Sequence, residues 1–441
     1  MSSMTGGFMR GLKNRVWGGL VTASVLLAAC GSSTSASSGT SGSTSKGTAT
    51  IGMIAAYTGN QAFEAGFTDS GAFPAVWAIN NGGGILGYNV VAKPVDTKSD
   101  PADALTAVEQ MLGTTSNLLG VSGPDSTSGP TVIPVLDKSQ IPMMITAGEA
   151  AYDRSPYSYL WRDLPPDPAN GIAMALWAKQ HGYTRVATVF GTDSGSQGDL
   201  PGVVTGVQKT GMKLVAQINL TPDQPSYRTE VEQLIASKPQ VIMTETDGPT
   251  AATFYGELKQ LGTIVPIIGT SGVPTDTYLN PLRSALGSSS FNQDFVAVVA
   301  GTPNPNPAVT AFNNALTHVK GQLPAPLNQW LSNPFSEAGY DALIAMALAA
   351  NEAGSIKGSV YNADIMKVTS PGAGKTVVYT YPAGVAAIKA GKQIQYVGAS
   401  GPLLFNQYHN SYGDQAVESF PSGVAPTVVG TISAKSVEAV G

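Results

Sequence analysis

The apolar positions of the chain follow two alternating periods. Ala72, Val76 and Ile79 have the spacing of one helix face, whereas the β-branched residues within 88–95 favour a strand. Glycine-rich turns separate such segments, and the alternation continues to residue 301. This rhythm predicts parallel sheets covered by helices, which is an α/β fold. The predicted strands are 50–55, 88–95, 118–121, 141–145, 185–190, 213–220, 241–246, 264–269 and 295–301.

Two of the predicted helices have identifiable first turns. Asp100 is expected to cap the helix that follows it, because its side chain can accept from free backbone N–H groups. The spacing of Leu105, Val108 and Leu112 predicts the buried stripe of that helix. Ser336 is expected to cap a second helix that runs to residue 350.

Composition and charge narrow the class of protein. The chain has 441 residues, of which 42% are hydrophobic and 12% charged, so it can form two domains with separate cores. Its formal net charge is −5, which argues against nucleic-acid binding, since that requires a basic face. No transmembrane helix is predicted after residue 30, because no apolar run there reaches about 20 residues.

The N-terminus has the pattern of a targeting segment. Residues 1–29 combine three basic residues with an apolar run that is too short to span a bilayer, which predicts a signal peptide. The residues before Cys30, the only cysteine, resemble the lipobox of bacterial lipoproteins. That resemblance implies cleavage before Cys30 and lipid attachment to it. Residues 30–48 are almost entirely Ser, Gly, Thr and Ala, which predicts a flexible tether.

Two motifs share part of the residue pattern of nucleotide-binding loops. Gly82, Gly84 and Gly87 have the spacing of a dinucleotide-binding loop, but a helix precedes them and a strand follows, which is the reverse of the required order. We therefore predict a helix-to-strand turn. Lys375 lies in a Gly-Lys-Thr triplet, but Thr369 occupies the position where a phosphate-binding loop needs glycine. We predict an ordinary surface loop there.

Four spaced elements carry a family resemblance. Ile79-Asn80, the glycine-rich 83–87 segment, Asp96 and the 99–101 segment resemble, in this order, the type I solute-binding proteins of branched-chain amino acid (Leu/Ile/Val) ABC transporters. The resemblance implies two doubly wound parallel-sheet lobes that close like a clamshell and are joined by three hinge crossovers. It places lobe one at 49–165 and 301–412, and lobe two at 166–300 and 413–441.

Lobe one is expected to hold a ligand carboxylate. The loop with Ser126, Thr127 and Ser128 follows a strand and precedes a helix, so hydroxyl groups and free backbone N–H groups converge there. The resemblance gives this loop the carboxylate, and simple capping by Ser128 is the alternative. It also assigns ligand contacts to the loop with Gly148 and Glu149. The loop after the first strand adds Phe63 and Glu64, with ordinary packing as the alternative for Phe63.

Lobe two departs from the family pattern. The position where amino-acid-binding members carry the acid for the ligand ammonium reads as Ser271, and an aromatic position reads as Gln197. A buried ammonium without a partner would cost several kcal/mol. We therefore expect that Asp247, Glu245 or Glu64 pairs the ammonium, or that the solute has none.

The resemblance implies an exported binding protein that delivers a small solute to the permease of an ABC importer. The solute would be an amino acid or a related carboxylate or amide. An extracytoplasmic ligand sensor with the same fold is the alternative. We expect a monomer, held to the membrane through lipid on Cys30, with no cofactor and no bound metal. The sequence has no Gly-x-Ser-x-Gly elbow and its three histidines are far apart, so no enzymatic activity is predicted.

Overall fold

The computed structural model describes residues 46–59, 61–62, 65–193, 195–301, 306–331, 333–423 and 425–441. Cys30, Phe63 and Glu64 lie outside the described residues, as do the predicted signal peptide and most of the tether. Within the described residues, no helix combines the length and the apolar character needed to span a membrane.

The first part of the chain forms a five-stranded parallel sheet with strand order β2-β1-β3-β4-β5. Its strands are β1 (Thr48–Ala55), β2 (Asn89–Asp96), β3 (Leu118–Ser122), β4 (Met143–Ile145) and β5 (Leu160–Arg162). The helices between them are α1 (Ala65–Asn81), α2 (Pro101–Thr114) and α3 (Gly129–Lys138). Ile51 and Met53 pack into one apolar cluster and Ile54 into another, so both faces of the sheet are buried.

The second sheet has seven strands in the order β15-β14-β10-β9-β8-β6-β7. Five are mutually parallel: β6 (Arg185–Gly191), β7 (Lys213–Leu220), β8 (Val241–Glu245), β9 (Ile267–Gly269) and β10 (Phe295–Ala300). The hairpin of β14 (Gln415–Ser422) and β15 (Ala425–Ile432) adds antiparallel to β10. The helices of this part are α4 (Asp167–Gln180), α5 (Leu200–Lys209), α6 (Arg228–Ser237), α7 (Gly248–Gln260), α8 (Asp276–Leu286), α9 (Ser288–Asp294) and α14 (Ala434–Glu438).

The chain between β10 and β14 packs back onto the first sheet. It contains α10 (Pro307–Val319), α11 (Pro334–Ala353), α12 (Gly358–Thr369) and α13 (Tyr381–Lys389). A small sheet of β11 (Thr376–Val378), β12 (Ile394–Gly398) and β13 (Gly401–Pro402) accompanies them. Residues of α11 share one apolar cluster with Ile51 and Met53 of β1. We call the first sheet with these elements lobe one, and the second sheet with its helices lobe two; both have the predicted α/β architecture.

Three crossovers connect the two lobes, after β5, after β10 and before β14. The backbone N–H of Arg162 donates to His409 O at 2.9 Å, and Ser411 N–H donates to Arg162 O at 2.8 Å. The fully buried Arg162 side chain also donates from Nε to Asn410 Oδ1 at 3.0 Å and forms an ion pair with Asp153. Arg162 therefore joins the first and third crossovers, which fits a structural role.

Several local predictions need correction. The buried face of α2 consists of Ala104, Val108 and Met111, so the stripe predicted at 105, 108 and 112 is rotated by about one residue. Asn333, not Ser336, caps α11, because its side chain accepts from the N–H groups of 335 and 336. Asp100 does cap α2, through Ala102 and Asp103 N–H.

Both nucleotide-like motifs are ordinary turns. The glycines at 82–87 lie between the end of α1 and the start of β2, in the predicted helix-to-strand order. Asn80 pins this turn, because its side chain exchanges two hydrogen bonds of 2.8 Å with the backbone of Val90. The Lys375 ammonium donates to Ser370 O at 2.8 Å, just beyond the last turn of α12. Lys375 thus binds the C-terminal end of α12, where a positive charge is favourable.

Candidate functional site

The candidate site lies where the strand ends of the two lobes approach each other. In lobe one the loops after β3 and β4 leave the same sheet edge, and in lobe two the loops after β6, β8 and β9 do so. Open α/β sheets bind ligands at this edge. The contact between Gly148 after β4 and Asp167 at the start of α4 brings the two edges together: Asp167 N–H donates to Gly148 O at 2.9 Å.

The loop after β3 is organised by Asp125. Its carboxylate accepts from Ser128 N–H at 2.8 Å and from the Thr97 hydroxyl at 2.9 Å. Ser128 is fully buried and its hydroxyl donates to Asp125 O at 3.4 Å, so it neither caps α3 through its side chain nor faces a ligand. The Thr127 hydroxyl donates to Gln61 Oε1 at 2.5 Å. Within the described residues the half-buried Ser126 hydroxyl makes no hydrogen bond, which leaves it for a ligand.

The loop after β4 places a second set of groups beside the start of α3. A Cβ added at Gly129 would collide with Tyr152 Oη, so that hydroxyl lies directly against the first turn of the helix. Burial, and then the nearby Glu149 carboxylate, raise the pKa of Tyr152. One Glu149 oxygen, Oε2, is buried without a hydrogen-bond partner in the described part of the chain. Glu149 and Tyr152 therefore connect the start of α3 to the lobe interface.

A cluster of carboxyl groups from lobe two faces this loop. Glu245, at the end of β8, accepts from the Thr270 hydroxyl at 2.8 Å, and burial raises its pKa to about 7. Asp199 is 5% exposed and its Oδ1 has no partner among the described residues. Burial, followed by the charges of Glu245 and Asp167, raises the pKa of Asp199 well above its usual range. The pKa of Asp167 is raised in the same way by burial, then by Glu245 and then by Glu149.

Three of the lobe-two residues that were predicted to contact the ligand instead form hydrogen bonds with the protein backbone. Asp247 is exposed and caps α7, because its carboxylate accepts from Thr250 N–H at 2.9 Å. The Gln197 amide donates to Gly191 O and to Asn219 Oδ1. The Ser271 hydroxyl accepts from Ala300 N–H at 3.1 Å. Of the two described acids weighed as ammonium partners, Asp247 and Glu245, it is Glu245 that lies within the carboxyl cluster.

Sequence reasoning did not identify Asp167, Asp199 and Tyr152 as site residues. Asp167 and Asp199 each precede a proline-containing helix start, which favours a capping role. Asp199 holds the N-cap position of α5 without a side-chain cap bond, and its carboxyl is buried toward Glu245 instead. One signal in the sequence could have identified them. Asp167, Asp199 and Glu245 each lie at the end of a strand or the start of a helix, at one sheet edge. Among the described residues no group of acids, histidines or cysteines could hold a metal ion.

Comparisons with known proteins identify the family. A family model described as periplasmic binding protein matches residues 48–386. The Leu/Ile/Val-binding protein BraC3 of Rhizobium johnstonii is 28% identical over 251 residues, which is 55% of this chain and 66% of that protein, slightly under two-thirds of its length.

Two solved structures illustrate the fold. LivJ of Streptococcus pneumoniae, a branched-chain amino acid transporter substrate-binding protein in complex with isoleucine, has a TM-score of 0.66 and 16% identity, over 88% of this chain and 99% of that one. A solute-binding protein of an ABC transporter from R. palustris, in complex with benzoate, has a TM-score of 0.62 and 14% identity, over 87% and 96%. With the family model covering most of the sequence, these matches show that the chain belongs to the periplasmic binding protein family and has its type I fold.

Proposed function

We propose that the protein is the solute-binding component of an ABC importer and that its solute is an α-amino acid. The observation that carries the proposal is the carboxyl cluster of the buried Asp199 and the half-buried Glu245 and Asp167, which lies close to Glu149 in the loop after β4 of lobe one. Such an arrangement offers opposite ends of the site to a cationic and an anionic group. The family members named above bind branched-chain amino acids or benzoate, so both solute classes must be weighed.

The lobe-two cluster favours a solute with an ammonium group. Glu245 and Asp199 influence each other directly, and burial already disfavours a charge on either. A cation next to them would stabilise the ionised carboxylates, whereas a second anion would add repulsion. The charge of Arg162 offsets a small part of the rise in the pKa of Asp167, but its guanidinium is committed to Asp153, Asn410 and the backbone of Glu149. A benzoate-like solute would leave the cluster without a counter-charge.

The lobe-one loop favours a carboxylate. The start of α3 offers the positive end of its helix dipole, which attracts anions. The N–H groups of Ser128 and Gly129 already donate to Asp125, and residue 130 is a proline, so the dipole and not a free N–H is what this helix start contributes. Ser126 adds a hydroxyl that has no hydrogen bond within the described residues, and Tyr152 Oη lies at the same helix start. We infer that the solute carboxylate binds here while its ammonium contacts Glu245 across the interface. Contacts with both lobes would favour the closed arrangement.

A thermal-shift screen of the purified protein tests this proposal. The compounds are leucine, isoleucine, valine, the matching α-keto acids, benzoate and urea. At about 100 times the dissociation constant, a ligand adds roughly 2.7 kcal/mol of stability, which gives a clear rise in melting temperature. We expect stabilisation by amino acids and not by keto acids, which keep the carboxylate and lack the ammonium. Stabilisation by keto acids or benzoate alone would contradict the assignment of Glu245.

A further inference from the structure

The start of α5 is packed tightly against α4. A Cβ added at Gly202 would lie 2.0 Å from Pro168 O, and one added at Gly171 would lie 2.2 Å from Asp199 O. The two backbones approach so closely that only glycine fits between them. Asp199 holds the N-cap position of α5 without a side-chain cap bond and is 5% exposed. The packing of the two helices therefore sets the position of its carboxyl group.

The Asp199 side chain forms a hydrogen bond with the carboxyl group of Glu245, at the end of β8. Ionised carboxylates only accept hydrogen bonds, so a bond between two carboxyl groups requires a proton on one of them. In this arrangement the pair carries at most one negative charge, although it contains two acids.

The other hydrogen bonds of the two side chains indicate where the proton lies. The Thr270 hydroxyl donates to Glu245 Oε2 at 2.8 Å, which stabilises a charged Glu245. Asp199 Oδ1 is buried and has no partner within the described residues, so a charge on Asp199 would be unsupported. The pKa of Asp199 is accordingly raised well above its usual range, by burial and then by Glu245, whereas that of Glu245 is raised to about 7.

The surrounding groups also oppose a second charge. Asp167, at the start of α4, raises the pKa of Asp199, and Asp193, in the loop after β6, raises that of Glu245. The Tyr278 hydroxyl of α8 lies close enough to feel the Glu245 charge, and burial raises its pKa well above the usual range, so it stays neutral. Among the described residues no lysine or arginine forms an ion pair with Asp199 or Glu245.

We propose that Asp199 is a positioning residue, which keeps its proton and donates it in a hydrogen bond to ionised Glu245. This bond holds the Glu245 carboxylate in one orientation and supports its charge, and the solute ammonium pairs with Glu245 and not with Asp199. The part of the inference that concerns the solute rests on the function proposed above. The proton on Asp199 does not depend on that function.

Leucine titration calorimetry on the purified full chain tests this role, from about pH 5 to about pH 9. Asp199→Leu removes the donor at similar size. It should weaken leucine binding about tenfold and move the midpoint of the pH profile upward, because Glu245 loses a hydrogen bond that favours its ionised form. Asp199→Asn supplies an N–H donor and cannot ionise. It should recover most of the affinity and return the midpoint close to that of the wild type.

Asp103→Asn is the matched control for these variants. Asp103 also lies in the first turn of a helix, α2, but its side chain is 50% exposed, so neither the affinity nor the midpoint should change. An Asp199→Asn variant that binds leucine as weakly as Glu245→Gln would make Asp199 a second charged partner and overturn the proposal. An unchanged affinity and midpoint in Asp199→Leu would overturn it as well.

Urea unfolding of the solute-free protein tests the proton separately. Because the pKa of Asp199 is raised from 3.8 on folding, its contribution should make the unfolding equilibrium constant rise about tenfold per pH unit between the unfolded and the folded pKa. Asp199→Asn should remove that contribution and flatten the pH dependence, and an unchanged dependence would contradict the proposal. If the dependence flattens but the wild type does not bind leucine, the amino-acid function fails and the proton on Asp199 stands.

Discussion

The carboxylate of Asp167 occupies the space that a side chain at Gly148 would need. A Cβ added at Gly148 would overlap both Asp167 Oδ1 and Cγ, and the Asp167 N–H donates to Gly148 O at 2.9 Å. A Cβ added at Gly198, in lobe two, would collide with the same carboxylate. Two glycines therefore allow one half-buried acid to lie between the lobes, next to Glu245.

Gly148→Ala should disturb this contact. The added methyl group must displace the Asp167 carboxylate, and overpacking of a filled interface typically costs about 1–3 kcal/mol. We expect a lower free energy of unfolding in urea and weaker amino-acid binding. Gly113→Ala is the control, because nothing lies within 4 Å of its added Cβ and Gly113 is exposed on α2. Equal stability of the two variants would show that the interface adapts without cost.

The solute-free protein should become less stable as pH rises from about 4 to about 7. Burial raises the pKa of Glu245 from 4.5 to about 7 and that of Asp341 from 3.8 to about 6. The folded state then holds protons more tightly than the unfolded chain, so its advantage is complete below the unfolded pKa and is lost as pH passes the folded pKa. Melting temperatures across this range, compared with those of Glu245→Gln, provide the measurement. The variant should lose less stability on the same change of pH.

Asp247 and Glu245 should respond differently to substitution. Asp247→Ala removes the cap of α7 and should cost about 1 kcal/mol of stability, with little effect on solute affinity. Glu245→Gln should weaken amino-acid binding strongly, because it removes the charge proposed to pair the ammonium group. Chemical denaturation and calorimetry on both variants separate the two effects. A large loss of affinity in Asp247→Ala would instead favour Asp247 as the ammonium partner.

Lipid attachment to Cys30 stays a prediction from sequence. If the signal peptide ends at Ala29, the wild-type protein should sediment with membranes after export. Cys30→Ala should prevent lipidation and shift the protein out of the mature membrane-bound form. Fractionation with metabolic fatty-acid labelling checks both points. Membrane association and label that persist in Cys30→Ala would contradict the anchor.

Local patterns predicted the fold better than they predicted side-chain faces. The alternation of helical and strand periods indicated the α/β class. In that class helices cover both faces of a parallel sheet, so the strands carry buried residues on both faces. For α2 the prediction relied on the large residues Leu105 and Leu112, but Ala104 and Met111 share the Val108 face and pack inward. Small residues can lie closest to a sheet, so size alone does not define a buried stripe. The hairpin of β14 and β15 was not predicted, and its Val428 and Val429 are exposed.

The candidate site depended on long-range proximity. The positions of the loops after β3 and β4 followed from strand order, and Ser126 remains a candidate there. The approach of Asp199 to Glu245 joins residues 46 positions apart, and no local pattern encodes it. The Asp-Gly-Pro sequence at 247–249 does carry a capping signal, since proline suits the first turn of a helix. That signal explains why Asp247 caps α7, whereas Glu245 faces the lobe interface.

The affinity for leucine as a function of pH tests the central claim most directly. Leucine carries the α-ammonium and no side-chain charge, so its binding isolates the contact with Glu245. The ammonium requires ionised Glu245, whose pKa is raised to about 7, so affinity should increase about tenfold per pH unit below that value and level off above it. Glu245→Gln should bind weakly at every pH. An affinity that stays constant or falls as pH rises, or full binding by Glu245→Gln, would contradict an ammonium-binding role for Glu245.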